Sequence, residues 1–249
     1  MTTLKMFIRR IIPTPIKRFN EFIRIQRLRR CATVKDAFTM IYEAGLWGQS
    51  NEPKEIYYSG SGSHRTEIVD IYVSSVNGFL QSFSKKSDVV DLGCGDFAIG
   101  AQIRPDCGRY IAVDVVDGLI ERNKKKFAND DIDFRAMDII NDELPSGDVV
   151  FLRQVLQHLS NSEVSKVVAK LPSKFRFLVL TEHVPFYESF VPNLDNDHIQ
   201  GIRLMNSKSG IVLTEPPFNL KASQSRILCE AYEDCGLWKG VIRTILYQF

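Results

Sequence analysis

The chain has 249 residues, 44% of them apolar, and a formal net charge of +2 at pH 7. This length suits one large domain with appendages, and the sequence has no run of 18 apolar residues, which excludes a typical membrane-spanning helix. No apolar segment with a small-residue cleavage site follows the basic N-terminus, so a secretory signal is not expected. The five cysteines show no C-x-x-C spacing, which argues against a disulfide framework and for a cytoplasmic location.

The net charge hides an uneven distribution. Residues 1–30 carry nine basic side chains and one acidic one, a charge of +8, which leaves 23 basic and 29 acidic side chains, a charge of −6, for the rest. Apolar side chains alternate with the basic ones, and a basic amphipathic segment can bind an anionic membrane surface, with about 1 kcal/mol from each basic residue. Alternatively, this segment is a helix packed on the domain, or it binds a partner other than a membrane. Nucleic acid is not expected, because the remaining chain is acidic.

The first fifty residues are predicted to be a basic amphipathic helical extension. Apolar positions at helical spacing run from 34 to 46, with Gly45 as the stop. A polar loop over 51–62 separates this extension from a helix predicted over 66–83.

From residue 88 onward, strand-like and helix-like segments alternate. Strands are predicted at 88–91, 110–114, 132–135, 148–152 and 175–181, and helices at 98–104, 118–129 and 162–171. This order predicts an α/β fold: a doubly wound, mostly parallel, Rossmann-like sheet with helices on both faces, in a domain spanning 51–249. Residues 183–222 interrupt the alternation and are predicted to be a substrate-recognition insertion. A helix over 223–235 and a strand over 241–249 complete the prediction.

A glycine turn follows the first predicted strand, in the order Asp91-Leu92-Gly93-Cys94-Gly95. Glycines at a strand end let the backbone approach a ligand closely, and Asp91 can accept hydrogen bonds from hydroxyls or an amine. Cys94 is interpreted as a small buried residue rather than a reactive thiol. The spacing to Ala98 also fits the dinucleotide fingerprint, so the turn alone leaves open which nucleotide binds.

Four segments in order resemble the motifs of class I S-adenosylmethionine (SAM)-dependent methyltransferases. They are the glycine turn, 111–114 ending in Asp114, 134–139 with Asp138, and 148–159, which contains Arg153. The resemblance covers about 56–249. It implies that Asp91, Gly93, Cys94 and Gly95 bind the cofactor, that Asp114 and Val115 hold its ribose, and that Asp138 and Ile139 hold its adenine, with Arg153 at the same site. The alternative for Asp114 and Asp138 is that they cap helices.

The chain departs from this family pattern at one position: the family often has a third glycine where this chain has Phe97. The loop 57–65 is either a flexible linker or a lid over the cofactor, and its candidate contacts are Tyr58, Ser59 and Arg65.

Three histidines are expected near the acceptor. His158 follows the fourth strand and is the predicted catalytic base, because a base assists attack by a hydroxyl group. Glu182 and His183, which follow the fifth strand, are further catalytic candidates. A lone histidine is more often structural. Glu182 and His183, with Asp195, Asp197 and His198, could also form a metal site, but the spacing is unspecific and no metal is predicted.

The predicted function is transfer of a methyl group from SAM to a hydroxyl. The polar insertion favours a hydroxylated acceptor, and with the basic N-terminus the chain resembles methyltransferases of bacterial surface polysaccharides. This resemblance implies a glycan or lipid-linked saccharide acceptor, at the inner face of the cytoplasmic membrane. The alternatives are a small-molecule or protein acceptor, an NAD-dependent oxidoreductase, and a non-catalytic SAM-binding module.

Overall fold

The computed structural model describes residues 31–50, 55–186, 190–195, 209–234 and 239–249. The basic segment 1–30, with its predicted membrane contact, lies outside these residues, as do Asp197 and His198. Seven strands form one sheet in the order β3-β2-β1-β4-β5-β7-β6. They are β1 (Val89–Leu92), β2 (Tyr110–Asp114), β3 (Asp133–Ala136), β4 (Val149–Arg153), β5 (Phe177–Pro185), β6 (Gln224–Asp234) and β7 (Lys239–Gln248).

The first five strands are parallel to one another, whereas β7 is antiparallel to both β5 and β6. The mostly parallel Rossmann-like fold is therefore confirmed. The predicted helix over 223–235 is wrong, because this segment forms strand β6. It contains good helix formers, but its ladder with β7 runs from Gln224 to Asp234, and tertiary pairing outweighs a weak local propensity.

Five described α-helices flank the sheet: α1 (Val34–Glu43), α2 (Thr66–Gln81), α3 (Gly100–Ile103), α4 (Asp117–Lys126) and α5 (Asn161–Lys170). The start of α5 is fixed by a capping box, in which the Ser160 hydroxyl accepts from the Glu163 amide and the Glu163 carboxylate accepts from the Ser160 amide. Within the described ranges, no helix combines the length and apolar content that crossing a bilayer requires.

The core lies on both faces of the sheet. Val90 and Leu92 of β1 pack into one apolar cluster, and Val89 packs into the other. A strand covered on both faces is normally apolar throughout, so the buried carboxyl of Asp91 within β1 is an exception. A buried carboxyl at a strand end marks the place where the fold presents polar groups to a ligand.

Phe97 occupies the position where a glycine is common, and its backbone adopts the conformation that a glycine favours. Its φ is 63°, in the left-handed region, which costs a non-glycine residue about 1–2 kcal/mol. The ring points into the core, where it packs edge-on against Tyr110, Phe127 and Phe134 at centroid distances of 5.0–5.5 Å. Aromatic packing thus maintains the backbone conformation at this turn.

Gly100 provides the space for the Phe97 ring, which leads to a stability prediction. A Cβ on Gly100 would lie 2.2 Å from Phe97 Cε2, so Gly100→Ala should lower the free energy of unfolding by about 1–3 kcal/mol. The control is Gly78→Ala in α2, where no described atom lies within 4 Å of the added Cβ and a gain of about 0.5–1 kcal/mol is expected. Urea unfolding measures both. Equal stability of the two variants would contradict this account.

Candidate active site

The glycine turn follows β1 in the chain and is hydrogen-bonded to the carboxyl end of β2. Gly93 and Gly95 have φ values of 85° and 57°, and the amides of Gly93 and Cys94 donate to the Val113 carbonyl at 2.8 and 2.9 Å. The Gly95 amide donates to Asp114 Oδ2 at 3.1 Å. These bonds hold the backbone of the turn against the carboxyl end of β2, where a parallel sheet presents its ligand site.

Two buried carboxyls lie at this turn. Asp91 accepts a hydrogen bond from the Tyr110 hydroxyl at 3.0 Å, and burial raises its pKa to about 7. Burial also raises the pKa of Asp114 to about 6, although hydrogen bonds from the amides of Val116 and Gly95 act in the opposite direction. A carboxylate can accept about four hydrogen bonds, so both groups retain capacity for a ligand.

Asp138 lies in the loop after β3 and is half-buried. Its Oδ1 accepts from the Ile140 amide at 2.8 Å, and its Oδ2 accepts from Asn141 Nδ2 at 2.7 Å. These bonds stabilise the loop, as the capping alternative expects, and Asp138 also lines the cavity described below. The two roles are compatible.

The loop from Ser59 to His64, here called the lid, is closed over the glycine turn. The Ser59 amide donates to Asp96 Oδ2 at 2.9 Å, and the Asp96 amide donates back to Ser59 Oγ at 2.8 Å. His64 Nε2 lies 2.6 Å from the same carboxylate oxygen. Hydrogen bonds from the Ser59 and Ala98 amides and from His64 outweigh burial and lower the pKa of Asp96.

Arg153 holds the other end of the lid. Its Nη2 donates to the Gly62 carbonyl at 2.6 Å and its Nη1 donates to Ser63 Oγ at 3.1 Å, while its guanidinium lies 5.0 Å from the Tyr72 ring centroid. Burial lowers the pKa of Arg153. The lid is therefore an ordered part of the site.

The lid, the glycine turn and α1 enclose a cavity of about 290 Å³. Ten of the twelve residues that the sequence assigns to the cofactor line it: Ser59, Asp91, Gly93, Cys94, Gly95, Asp114, Val115, Asp138, Ile139 and Arg153. Three carboxyls, one guanidinium and a glycine-rich backbone thus line the same cleft, which is a typical setting for a small-molecule ligand.

The other two predicted contacts, Tyr58 and Arg65, bind protein groups. The Tyr58 ring stacks on His64 at 4.4 Å between centroids, and burial raises its pKa. Arg65 pairs with Glu67 and Glu233, the latter at 2.7 Å. Their positions support the lid and the start of α2, and direct contact with a cofactor stays a prediction.

His158 lines the cavity next to an aromatic wall. Its ring lies 5.7 Å from Phe38 and 5.3 Å from Trp47, measured between centroids. Burial alone lowers its pKa to about 4, so the imidazole is neutral at neutral pH. The neutral imidazole has a lone pair for a proton, but the same burial disfavours the imidazolium that would form.

His183 and Glu182 point in different directions because neighbouring residues of a strand face opposite sides of the sheet. His183 lines the cavity, with its Nδ1 3.7 Å from Glu233 Oε2, and burial lowers its pKa to about 4. Glu182 is 2% exposed and accepts from the Leu156 amide at 2.9 Å. This bond supports the short turn from Leu156 to His158 that presents His158.

The described residues contain no group of three or more His, Cys, Asp and Glu side chains arranged to hold a metal ion. The sequence-level alternative of a metal site includes Asp197 and His198, which lie beyond the described ranges.

Sequence reasoning missed part of the site. Phe38, Tyr42 and Trp47 line the cavity, yet the sequence shows only an apolar helix face, with no sign of where α1 would pack. Asp96 and Gln157 were also missed. Asp96 directly follows the glycine turn, and this position could have indicated that it belongs to the site.

Comparison with known proteins gives a family match for part of the chain. Residues 89–174 match a family model described as a methyltransferase domain. Phosphoethanolamine N-methyltransferase 1 of Triticum aestivum is 30% identical over 104 residues, which are 39% of this chain and 20% of that protein. The chain thus spans about a fifth of that relative's length.

Two solved structures share the fold. Magnesium protoporphyrin IX methyltransferase of Synechocystis PCC 6803 with bound SAM has a TM-score of 0.53 and 14% identity, covering 88% of this chain and 99% of that one. The N-terminal domain of EvdMO1, determined in the presence of S-adenosylhomocysteine (SAH) and D-fucose, has a TM-score of 0.52 and 12% identity, covering 80% and 92%. The chain thus matches a methyltransferase domain over 89–174 and shares the fold of these two methyltransferase-related structures. The glycine turn that also fitted a dinucleotide lies within the residues that match the methyltransferase domain.

The buried carboxyl of Asp91 predicts a pH-dependent stability. Its pKa of about 7 exceeds the ordinary value of 3.8, so the folded state keeps a proton that the unfolded chain loses. This contribution to stability therefore declines as pH rises from about 4 to 7. Asp91→Asn cannot ionise and keeps an oxygen for Tyr110, so its free energy of unfolding relative to wild type should increase over that range. Urea unfolding without cofactor measures it, and a difference independent of pH would contradict the buried carboxyl.

Proposed function

We propose that the protein transfers the methyl group of SAM to a hydroxyl group of a sugar, in a bacterial surface glycan or a lipid-linked saccharide. The observation that carries this proposal is the placement of His158, a neutral imidazole, in the same cavity as the three carboxyls of the cofactor site. A hydroxyl acceptor loses a proton during transfer, and a positioned base contributes about 10²–10⁴-fold to the rate.

The cavity residues match the polar groups of SAM. Asp91, Asp114 and Asp138 are hydrogen-bond acceptors, which suits the amine, ribose hydroxyls and adenine amine of this cofactor. Arg153 lines the cavity, and its guanidinium charge suits the carboxylate of the cofactor. When bound, SAM supplies a methyl group on a cationic sulfur for in-line displacement. A site that holds the cofactor and the acceptor within reach of each other lowers the entropic cost of the reaction.

His158 is the proposed proton acceptor. Its ring takes the proton of the attacking hydroxyl as the new carbon–oxygen bond forms, and the electrons of the broken carbon–sulfur bond remain on sulfur. Glu182 positions the turn that carries His158 through the Leu156 amide. His183, with Glu233 beside it, is the second candidate for this role.

An amine acceptor is the second candidate function. The wheat relative is named as an N-methyltransferase, whereas the EvdMO1 domain was determined with a sugar. An amine that reacts in its neutral form needs no base in the transfer step, so the two acceptor classes predict different consequences of removing His158.

Removing the imidazole gives the test. His158→Ala should bind SAM within about twofold of wild type and lower kcat by about 10²–10⁴-fold. SAH release with a panel of methyl glycosides and lipid-linked saccharides measures turnover, and calorimetry measures SAM binding. His183→Ala is the comparison variant, and loss of turnover there alone would move the base to His183. Unchanged kcat in both variants, or turnover of amines only, would contradict O-methylation.

The basic segment 1–30 is proposed to hold the enzyme on the inner face of the cytoplasmic membrane. Its charge of +8 and its apolar side chains support peripheral binding to anionic lipid. A chain lacking residues 1–30 should lose binding to phosphatidylglycerol vesicles in a sedimentation assay and keep its turnover of water-soluble glycosides. Undiminished vesicle binding would contradict this proposal.

A further inference from the structure

Two consecutive side chains of α4 bind the backbone carbonyls at the end of the glycine turn. Asn123 is fully buried, and its Nδ2 donates to the Gly95 carbonyl at 2.8 Å. Arg122 Nη1 donates to the Asp96 carbonyl at 2.9 Å and to Asn123 Oδ1 at 2.7 Å. A buried amide destabilises a fold unless it is hydrogen-bonded, and Asn123 finds its partners in the turn and in Arg122. Neither side chain lines the cavity, so an effect on a ligand has to pass through the turn.

The peptide that joins Gly95 to Asp96 connects α4 to the lid. Its carbonyl accepts from Asn123, and its N–H donates to Ser59 Oγ at 2.8 Å. A trans peptide is planar and directs these two groups to opposite sides, so fixing the carbonyl also fixes the direction of the N–H. Because Gly95 restricts its own backbone less than any other residue would, a hydrogen bond from outside the turn can decide this orientation.

Arg122 also holds the segment that leads into the lid. Its Nε donates to Glu55 Oε2 at 2.9 Å, and Glu55 Oε1 accepts from the Tyr57 amide at 3.1 Å. Only 17% of the Arg122 side chain and 14% of the Glu55 side chain are exposed, so solvent screens this ion pair less than a pair on the surface. One guanidinium therefore binds both the Asp96 carbonyl and the chain before the lid.

We propose that Asn123 is a positioning residue for the cofactor site: it orients the peptide after Gly95 so that the N–H of this peptide binds Ser59 and holds the lid closed over SAM. Arg122 supports Asn123 and the chain that leads into the lid. This inference rests on the proposed function, because it takes SAM as the ligand under the lid. Neither Asn123 nor Arg122 contacts the cofactor in this role.

The test compares cofactor binding by the full chain with its stability. Asn123→Leu keeps the number and branching of the side-chain atoms but cannot donate to the Gly95 carbonyl. Arg122→Met removes the guanidinium at a partly exposed position, and it tests the same support if Asn123→Leu does not fold. Asn77→Leu is the matched control, since it makes the same replacement in α2, outside the lining of the cavity. Calorimetry measures SAM affinity, stopped-flow fluorescence measures SAH dissociation, and urea unfolding measures stability without cofactor.

Asn123→Leu and Arg122→Met should each weaken SAM binding about tenfold and speed SAH dissociation by a similar factor, because each leaves a carbonyl of the turn without its donor. Asn77→Leu should change both quantities less than about twofold. A variant of Asn123 or Arg122 that is less stable but binds SAM as wild type does would make the residue purely structural and overturn the inference.

A double variant tests the path through the peptide. Asn123 and Ser59 bind the two ends of one peptide, so Asn123→Leu should weaken SAM binding less than about threefold further in a Ser59→Ala background. A full tenfold further loss would show that Asn123 acts by another path and would overturn the inference, while leaving the proposed function intact. Failure of wild type to bind SAM would contradict the proposed function as well.

Discussion

The left-handed backbone at Gly93, Gly95 and Phe97 is the constraint on which the rest of the site depends. It turns the chain at the end of β1 and holds the turn against Val113 and Asp114 at the end of β2. A Cβ on Gly95 would lie 2.4 Å from Ser59 Oγ, so the absence of a side chain there is what lets the lid close. One short segment, the turn from Gly93 to Phe97, therefore holds the ends of β1 and β2 together, positions their carboxyls and leaves room for the lid.

Closure of the lid explains the electrostatics of the cavity. Asp96 remains ionised because amides and His64 bind it, whereas Asp91 and Asp114 are desolvated and their pKa values rise. Asp96 thus makes its hydrogen bonds within the protein, whereas Asp91 and Asp114 retain hydrogen-bonding capacity for a ligand. On the other side of the cavity α1 contributes an uncharged aromatic wall.

Much of this arrangement could be predicted from sequence, and the rest depends on packing. The strand ends that carry Asp91, Asp114 and Asp138 follow from alternating elements, because parallel strands present their carboxyl ends at one edge. Strand β6 could not be predicted, since its local propensity favours a helix and only its pairing with β7 decides otherwise. The role of Phe97 could not be predicted either, because it depends on the ring contacts that hold its backbone. The wall of Phe38 and Trp47 needed the docking of α1, a long-range contact that the periodicity of a helix does not specify.

Calorimetric titration of wild type and Asp114→Ala with SAM and with NAD tests the central claim most directly. Wild type should bind SAM and should not bind NAD. Because the Asp114 carboxylate both accepts from the turn and faces the cavity, Asp114→Ala should bind SAM at least about tenfold more weakly, a loss of about 1.4 kcal/mol. Binding of NAD by wild type, or an unchanged SAM affinity in Asp114→Ala, would contradict the assignment of this cavity.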